Sequence, residues 1–124
     1  MQKTKDPSPE HCVDLAELLS RLENDRELLR DLVLIFKEDF PRHLQALREA
    51  VERRDMKQTM VVSHTLRGML SNLAVTKAAA SVGQLEQLAG SGGEAALDEA
   101  LAAFEREVQG LLPEMETYLG EVQN

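Results

Sequence analysis

The chain has 124 residues, 43% hydrophobic and 29% charged, the length and balance of one folded domain rather than a disordered chain. Lys plus Arg number 14 against 22 Asp plus Glu, a net charge of -8, so the average surface repels a phosphate backbone. With no Trp, one Tyr and three Phe there is no base-stacking platform either, which excludes nucleic acid as a partner. The single cysteine, Cys12, rules out an intramolecular disulfide and a Cys-rich zinc site, and the expected setting is cytoplasmic. Cys12 itself is expected as a buried helix residue. Residues Met1 to Glu10 are polar and carry Pro7 and Pro9, without the apolar core of a signal peptide. No stretch approaches ~18 uninterrupted apolar residues, so membrane insertion is not expected.

Apolar residues recur at spacings of three and four with no alternating run, which predicts an all-helical protein. A short amphipathic helix is expected from Cys12 or Val13 to about Leu22. Asn24, with Glu27 three residues on, reads as the cap of a long second helix. Its apolar stripe runs from Leu28 to Val51 and is carried past Pro41, where a kink is expected. Asp55 with Gln58 repeats the capping pattern and opens a third helix to about Leu73. The fourth starts near Thr76 and is expected to stop at Gly90. The short Gly/Ser linker returns the chain into a last helix with apolar residues at 97, 101, 104, 108, 111, 115 and 119. Four long stripes can all be buried only around a common axis, which predicts an up-down antiparallel four-helix bundle with an additional short N-terminal helix. The expected organisation is a flexible lead over 1–12, the bundle over 13–120 and a tail over 121–124.

On the third helix, Thr59, Val62, Leu66, Met69, Leu70 and Leu73 fall on one side, at ~100° per residue, and His64 falls opposite. Around His64 on that outer face lie Lys57, Met60, Val61, Arg67, Gly68 and Ser71. A mid-helix glycine costs about 1 kcal/mol relative to alanine, and nothing in the packing of an outer face asks for one. From Glu94 onward there are eight acidic residues and one basic, whereas residues 53–77 hold five basic and one acidic. The acidic last helix reads as a solvated face, and the His64 helix as a positive strip suited to a phosphoryl group or an acidic partner pocket. A neutral imidazole can attack phosphorus in line while a nearby cation offsets charge on the equatorial oxygens. Free imidazole is largely neutral near pH 7, so no helper base is called for. His11 and His43 belong to no Glu-x-x-His pair, and no metal is assigned. The Gly90–Gly93 cluster follows no strand and precedes no Gly-Lys-Ser/Thr, so an ATP-binding element is missing.

The run His64, Thr65, Leu66, Arg67, Gly68, Met69, Leu70, Ser71, Asn72, Leu73 resembles the signature of histidine-containing phosphotransfer (HPt) domains, His-x-Leu-Lys/Arg-Gly-Ser/Ala-x-x-x-Leu/Ile-Gly. Leu85 and Glu86 resemble the Leu-Glu pair in the following helix of that family. Phe36, Phe40 and Pro41 resemble its preceding Phe-x-x-x-x-Pro stretch. Met69 stands where the family has a small residue, and Ala74 where it commonly has glycine. The resemblance implies that His64 is the phosphoacceptor, Arg67 orients the phosphate and Gly68 gives clearance to a docking receiver domain. Lys57, Met60, Val61 and Ser71 would then border the docking site.

The function expected is that of a phosphorelay intermediate, accepting a phosphoryl group from a receiver aspartate and passing it to another. It would be a carrier and not a kinase, free-standing or part of a larger hybrid kinase. Magnesium would come from the receiver, with no cofactor bound by this chain, and the carrier would be a monomer. One alternative is the dimerisation and phosphoacceptor module of a sensor histidine kinase, whose His-Glu-x-Arg-Thr-Pro box His64–Gly68 loosely resembles. Thr65, Gly68 and the missing proline argue against it, as do four long helices in one chain. The other alternative is a bundle that docks receivers without accepting phosphate.

Overall fold

The computed structural model of the protein describes residues 12–123. The expected lead, His11 included, lies outside the described residues except for Cys12. Six α-helices follow in order: α1 (Leu15–Arg21), α2 (Arg26–Glu52), α3 (Met56–Asn72), α4 (Thr76–Ser91), α5 (Leu97–Glu107) and α6 (Leu111–Gln123), with a 3-10 turn at Glu94–Ala96 before α5. No strand occurs among the described residues. In this helical bundle α2 packs on α3, α3 on α4 and α4 on α5, while α5 and α6 return to α2. Leu47, Leu66, Leu70, Val82, Leu85, Phe104, Leu111 and Met115 are fully buried between them, the apolar stripes expected from the spacing.

Helix ends show how local chemistry sets the boundaries. Asp55 caps α3 as expected, its carboxylate accepting from Gln58 N at 3.0 Å. Asn24 does not cap α2. It lies in the left-handed region at φ 62° and helps to close α1, a conformation asparagine tolerates, while Asp25 takes the capping place and accepts from Leu28 N at 3.0 Å. The helix then runs unbroken through Pro41 to Glu52. At the end of α3 the Ala74 N–H bonds Ser71 O (3.1 Å) and the Val75 N–H bonds Leu70 O (2.9 Å), the paired bonds of a left-handed helix stop. Ala74, where the resemblance had glycine, holds φ 60°. For α4 the stop is Gly92, at φ 80°, with Gly90 inside the helix. The expectation of a stop at Gly90 was therefore two residues early.

The long last helix is two helices. Apolar spacing continues across residues 108–111, but Pro113 has no N–H and its ring would strike the Gln109 carbonyl in a continuous helix. The chain instead turns at Val108–Gly110, and Glu114 N bonds Gly110 O at 3.1 Å, placing Pro113 in the first turn of α6, where it is tolerated. The acidic face of these helices is not wholly solvated: Arg48 pairs with Glu105, Arg54 with Asp98 and Lys37 with Glu116.

Cys12 is half-buried and precedes α1 rather than lying within it. Its N–H and that of Val13 donate to Glu114 at 2.6 and 3.0 Å, so one α6 carboxylate pins the start of the fold. Burial, with help from Glu114, pushes the Cys12 thiol up to about 11. It stays protonated near neutral pH and donates to Glu107 O.

Asp55→Ala should destabilise the bundle by roughly 1 kcal/mol, the usual loss of an N-cap side chain, with Asp55→Asn keeping most of that stability. Urea unfolding of the two variants beside wild type checks this.

Candidate functional site

The outer face of α3 follows from its inner one. Thr59, Val62, Ser63, Leu66 and Leu70 are buried, so the residues between them must face out. Ser63 was not read as a core residue, and the hydroxyls of Ser63 and Thr59 find no partner among the described residues. Met69 is only partly buried. It lines a groove on the α2 side with Leu32 and Phe36, away from His64 around the helix. The His64 side chain is 67% exposed.

The imidazole is exposed but not loose. Its Nδ1 lies 2.9 Å from Glu86 Oε2, and Arg67 Nε donates to Glu86 Oε1, also at 2.9 Å. Glu86 stands on α4 next to Leu85, which is fully buried. A rotation of ~100° per residue therefore brings the carboxylate to the α3–α4 seam. Burial pushes the Glu86 carboxyl up, but hydrogen bonds from His64 and Arg67 more than offset this and hold it below its ordinary value.

An ionised carboxylate can only accept, so the His64–Glu86 bond requires the proton on Nδ1. An Arg67 terminal nitrogen also lies 3.2 Å from Nδ1, but a protonated Nδ1 cannot accept from it. That approach is a contact. In the neutral imidazole this leaves Nε2, across the ring, with a lone pair and no proton. The sequence expectation gave the imidazole no partner; the structure gives it Glu86, which fixes the tautomer rather than acting as a base.

Gly68 lies one turn beyond His64, and a Cβ built there would meet nothing within 4 Å. The glycine thus serves no packing among the described residues. Met60 and Val61 are exposed at 37% and 50%, and Lys57 and Ser71 are exposed as well. The Ser71 carbonyl accepts from Arg21 of α1 at 2.7 Å. Ile35 of α2, 56% exposed, was not singled out from the sequence. It edges the groove that holds Met69 and Thr65, so the exposed apolar surface continues from α3 onto α2. His43 lines the same groove, its Nδ1 3.0 Å from Asp39 O. No group of three or more His, Cys, Asp and Glu side chains able to hold a metal occurs among the described residues.

The site is thus an exposed imidazole with one nitrogen tied down and a guanidinium beside it, carried on a helical bundle. The sequence model of the Hpt domain matches residues 31–124, and the chain belongs to the Hpt domain family. Hpt domains carry phosphoryl groups on histidine in two-component signalling and are not kinases. No curated protein and no solved structure matches the chain. No helix among the described residues is long and apolar enough to cross a membrane.

Because the Glu86 carboxyl is held below its ordinary value of 4.5, the stability it contributes is present above pH 4.5 and is lost as the pH falls through its lowered value in the folded state. Glu86→Gln should remove that part of the acid limb. Melting temperatures of the two proteins should converge as the pH falls below 4.5; an unchanged difference across that range would count against the carboxylate's role.

Proposed function

We propose that His64 is the phosphoacceptor of a phosphorelay intermediate, taking a phosphoryl group from a receiver-domain phosphoaspartate and passing it to the aspartate of another receiver. The observation that carries this reading is the His64–Glu86–Arg67 arrangement, which in the neutral imidazole puts the proton on Nδ1 and leaves Nε2 as the nucleophile on an exposed face. Nε2 attacks phosphorus, the N–P bond forms, and the acyl-phosphate O–P bond breaks to leave the receiver's carboxylate. No proton has to leave Nε2, so no base is involved. The ring becomes cationic as it takes the phosphoryl group, and Glu86 at Nδ1 offsets that charge. Arg67 offsets charge on the equatorial oxygens. The onward step reverses these events against a second aspartate.

Magnesium belongs, in this reading, to the receiver's own carboxylates. Lys57, Met60, Val61 and Ser71 border the docking surface, with Ile35 extending it over α2. Apolar contact would hold the complex and charge would set the encounter rate. The up-down antiparallel course of α2, α3, α4 and α5–α6 is supported by their short connections and by each helix packing on the next. We also propose a monomer, since these apolar stripes cover one another within one chain, and a cytoplasmic setting, where receiver domains act.

Incubated with a phosphorylated receiver, the protein should take up an acid-labile, alkali-stable label. His64→Gln should take up none, and ATP alone should label neither. Binding of the receiver without label on the wild type would favour the docking-only reading, and label surviving in His64→Gln would remove His64 from the chemistry.

Gly68→Ala should leave stability unchanged or raise it by up to about 1 kcal/mol, while slowing transfer. Gly68→Leu should slow transfer much further, because its side chain stands where the phosphoaspartate approaches. Thermal melts paired with transfer rates check both; a loss of stability would mean that the glycine serves the bundle.

A further inference from the structure

The α3–α4 seam holds a second glycine that acts in the opposite direction to Gly68. Along α4, Ala79, Gly83, Glu86 and Gly90 succeed one another at spacings of four, three and four, so they share one face of the helix. Glu86 on that face reaches His64 and Arg67. One turn before it, a Cβ at Gly83 would lie 3.3 Å from Arg67 Cδ, closer than an ordinary carbon contact. Gly83 sits within α4, where alanine would be the better helix former.

We propose that Gly83 is a positioning residue for phosphoryl transfer: its missing side chain is the space through which the Arg67 side chain runs to reach Glu86. Cδ is bonded directly to Nε, so a displacement of Cδ carries with it the Nε–H that donates to Glu86 at 2.9 Å. Glu86 in turn holds His64 Nδ1. A methyl group at 83 therefore acts on the cation first and reaches the nucleophile only through the shared carboxylate. At Gly68 a side chain would obstruct the partner and leave the chain's own residues in place; at Gly83 it would obstruct Arg67. The proposal rests on His64 being the phosphoacceptor for its kinetic consequence, but not for the seating of Arg67.

The test compares Gly83→Ala and Gly83→Leu, each alone and combined with Arg67→Ala. Three measurements are made: transfer from a phosphorylated receiver, solvent exchange of the Arg67 Nε–H by NMR in the single variants, and the thermal melt. Gly83→Ala is expected to keep the melting temperature, to speed Nε–H exchange and to slow transfer roughly fivefold, with Gly83→Leu slower still. Neither should slow transfer further once Arg67 is alanine. Unchanged Nε–H exchange, or a slowing that persists in the Arg67→Ala background, would overturn the proposal. So would a lower melting temperature in Gly83→Ala, which would make the glycine a packing residue of the seam. Wild-type protein that takes no label on His64 would defeat the phosphoacceptor reading, and Nε–H exchange would still decide whether Gly83 seats Arg67.

Discussion

Glu86 is the group on which the site depends. One carboxylate, its side chain 24% exposed, accepts from His64 on one oxygen and from Arg67 on the other. Because it can only accept, it places the proton of a neutral imidazole on Nδ1 and, in the proposed transfer, leaves the attack to Nε2. Its charge also balances that of Arg67, so with a neutral imidazole the three side chains sum to zero. In the proposed transfer, an arriving phosphoryl group meets a cation already engaged by a carboxylate. That balance suits a carrier, because uniform tight binding of the phosphoryl group would stabilise the loaded state and slow its release to the next acceptor.

The carboxylate can do this only if α3 and α4 keep their register, and the ends of that hairpin are fixed locally. Asp55 caps the start of α3. The turn into α4 closes with the Val75 N–H on Leu70 O, and both residues are fully buried, so a hydrophobic contact accompanies the backbone bond. The first segment of the chain then straps this end: Asp14 N donates to Ala74 O at 3.2 Å, and Arg21 donates to Ser71 O. A seven-residue helix such as α1 is too short to be stable alone. It is ordered by the hairpin it covers and in return holds the turn on which the α3–α4 register rests.

The parts of this arrangement that one helix can express were legible in the sequence. The α3 stripe and the outward placing of His64, Arg67 and Gly68 follow from a 3.6-residue period, and the Asp55 cap from local chemistry. What failed needed either a breaker overlooked within a regular pattern or a partner distant in the chain. The stripe through Phe104, Val108, Leu111 and Met115 keeps helical spacing across a turn, so periodicity could not show the break; Pro113 was the signal. Gly90 resembles a helix stop, yet the residue that needs φ 80° is Gly92. Arg54 and Ala74 end α2 and α3 in the same left-handed conformation without being glycine, so composition gave no mark of those stops. Leu85–Glu86 was visible as a pair, but its contact with His64 lies 22 residues away and exists only through the packing of two helices.

Charge shows the same dependence on tertiary register, and it bears on how a partner finds the site. The bases of α2 and its C-terminal turn face the acidic last helices: Lys37, Arg48 and Arg54 pair with Glu116, Glu105 and Asp98. Exposed pairs of this kind add little stability. Their consequence is spatial, because they place the positive charge of one side of the bundle against the negative charge of another. Lys57 has no ion-pair partner among the described residues, and it stands on the same outer face of α3 as His64. On a protein of net charge -8, Lys57 is thus a positive charge, without an ion-pair partner among the described residues, on the same face as a His64–Arg67–Glu86 group in which Glu86 already balances Arg67. In the proposed docking at His64, a receiver's carboxylate pocket would be repelled by the acidic surface and attracted by Lys57, so the charge pairing bears on which side of the bundle it would meet.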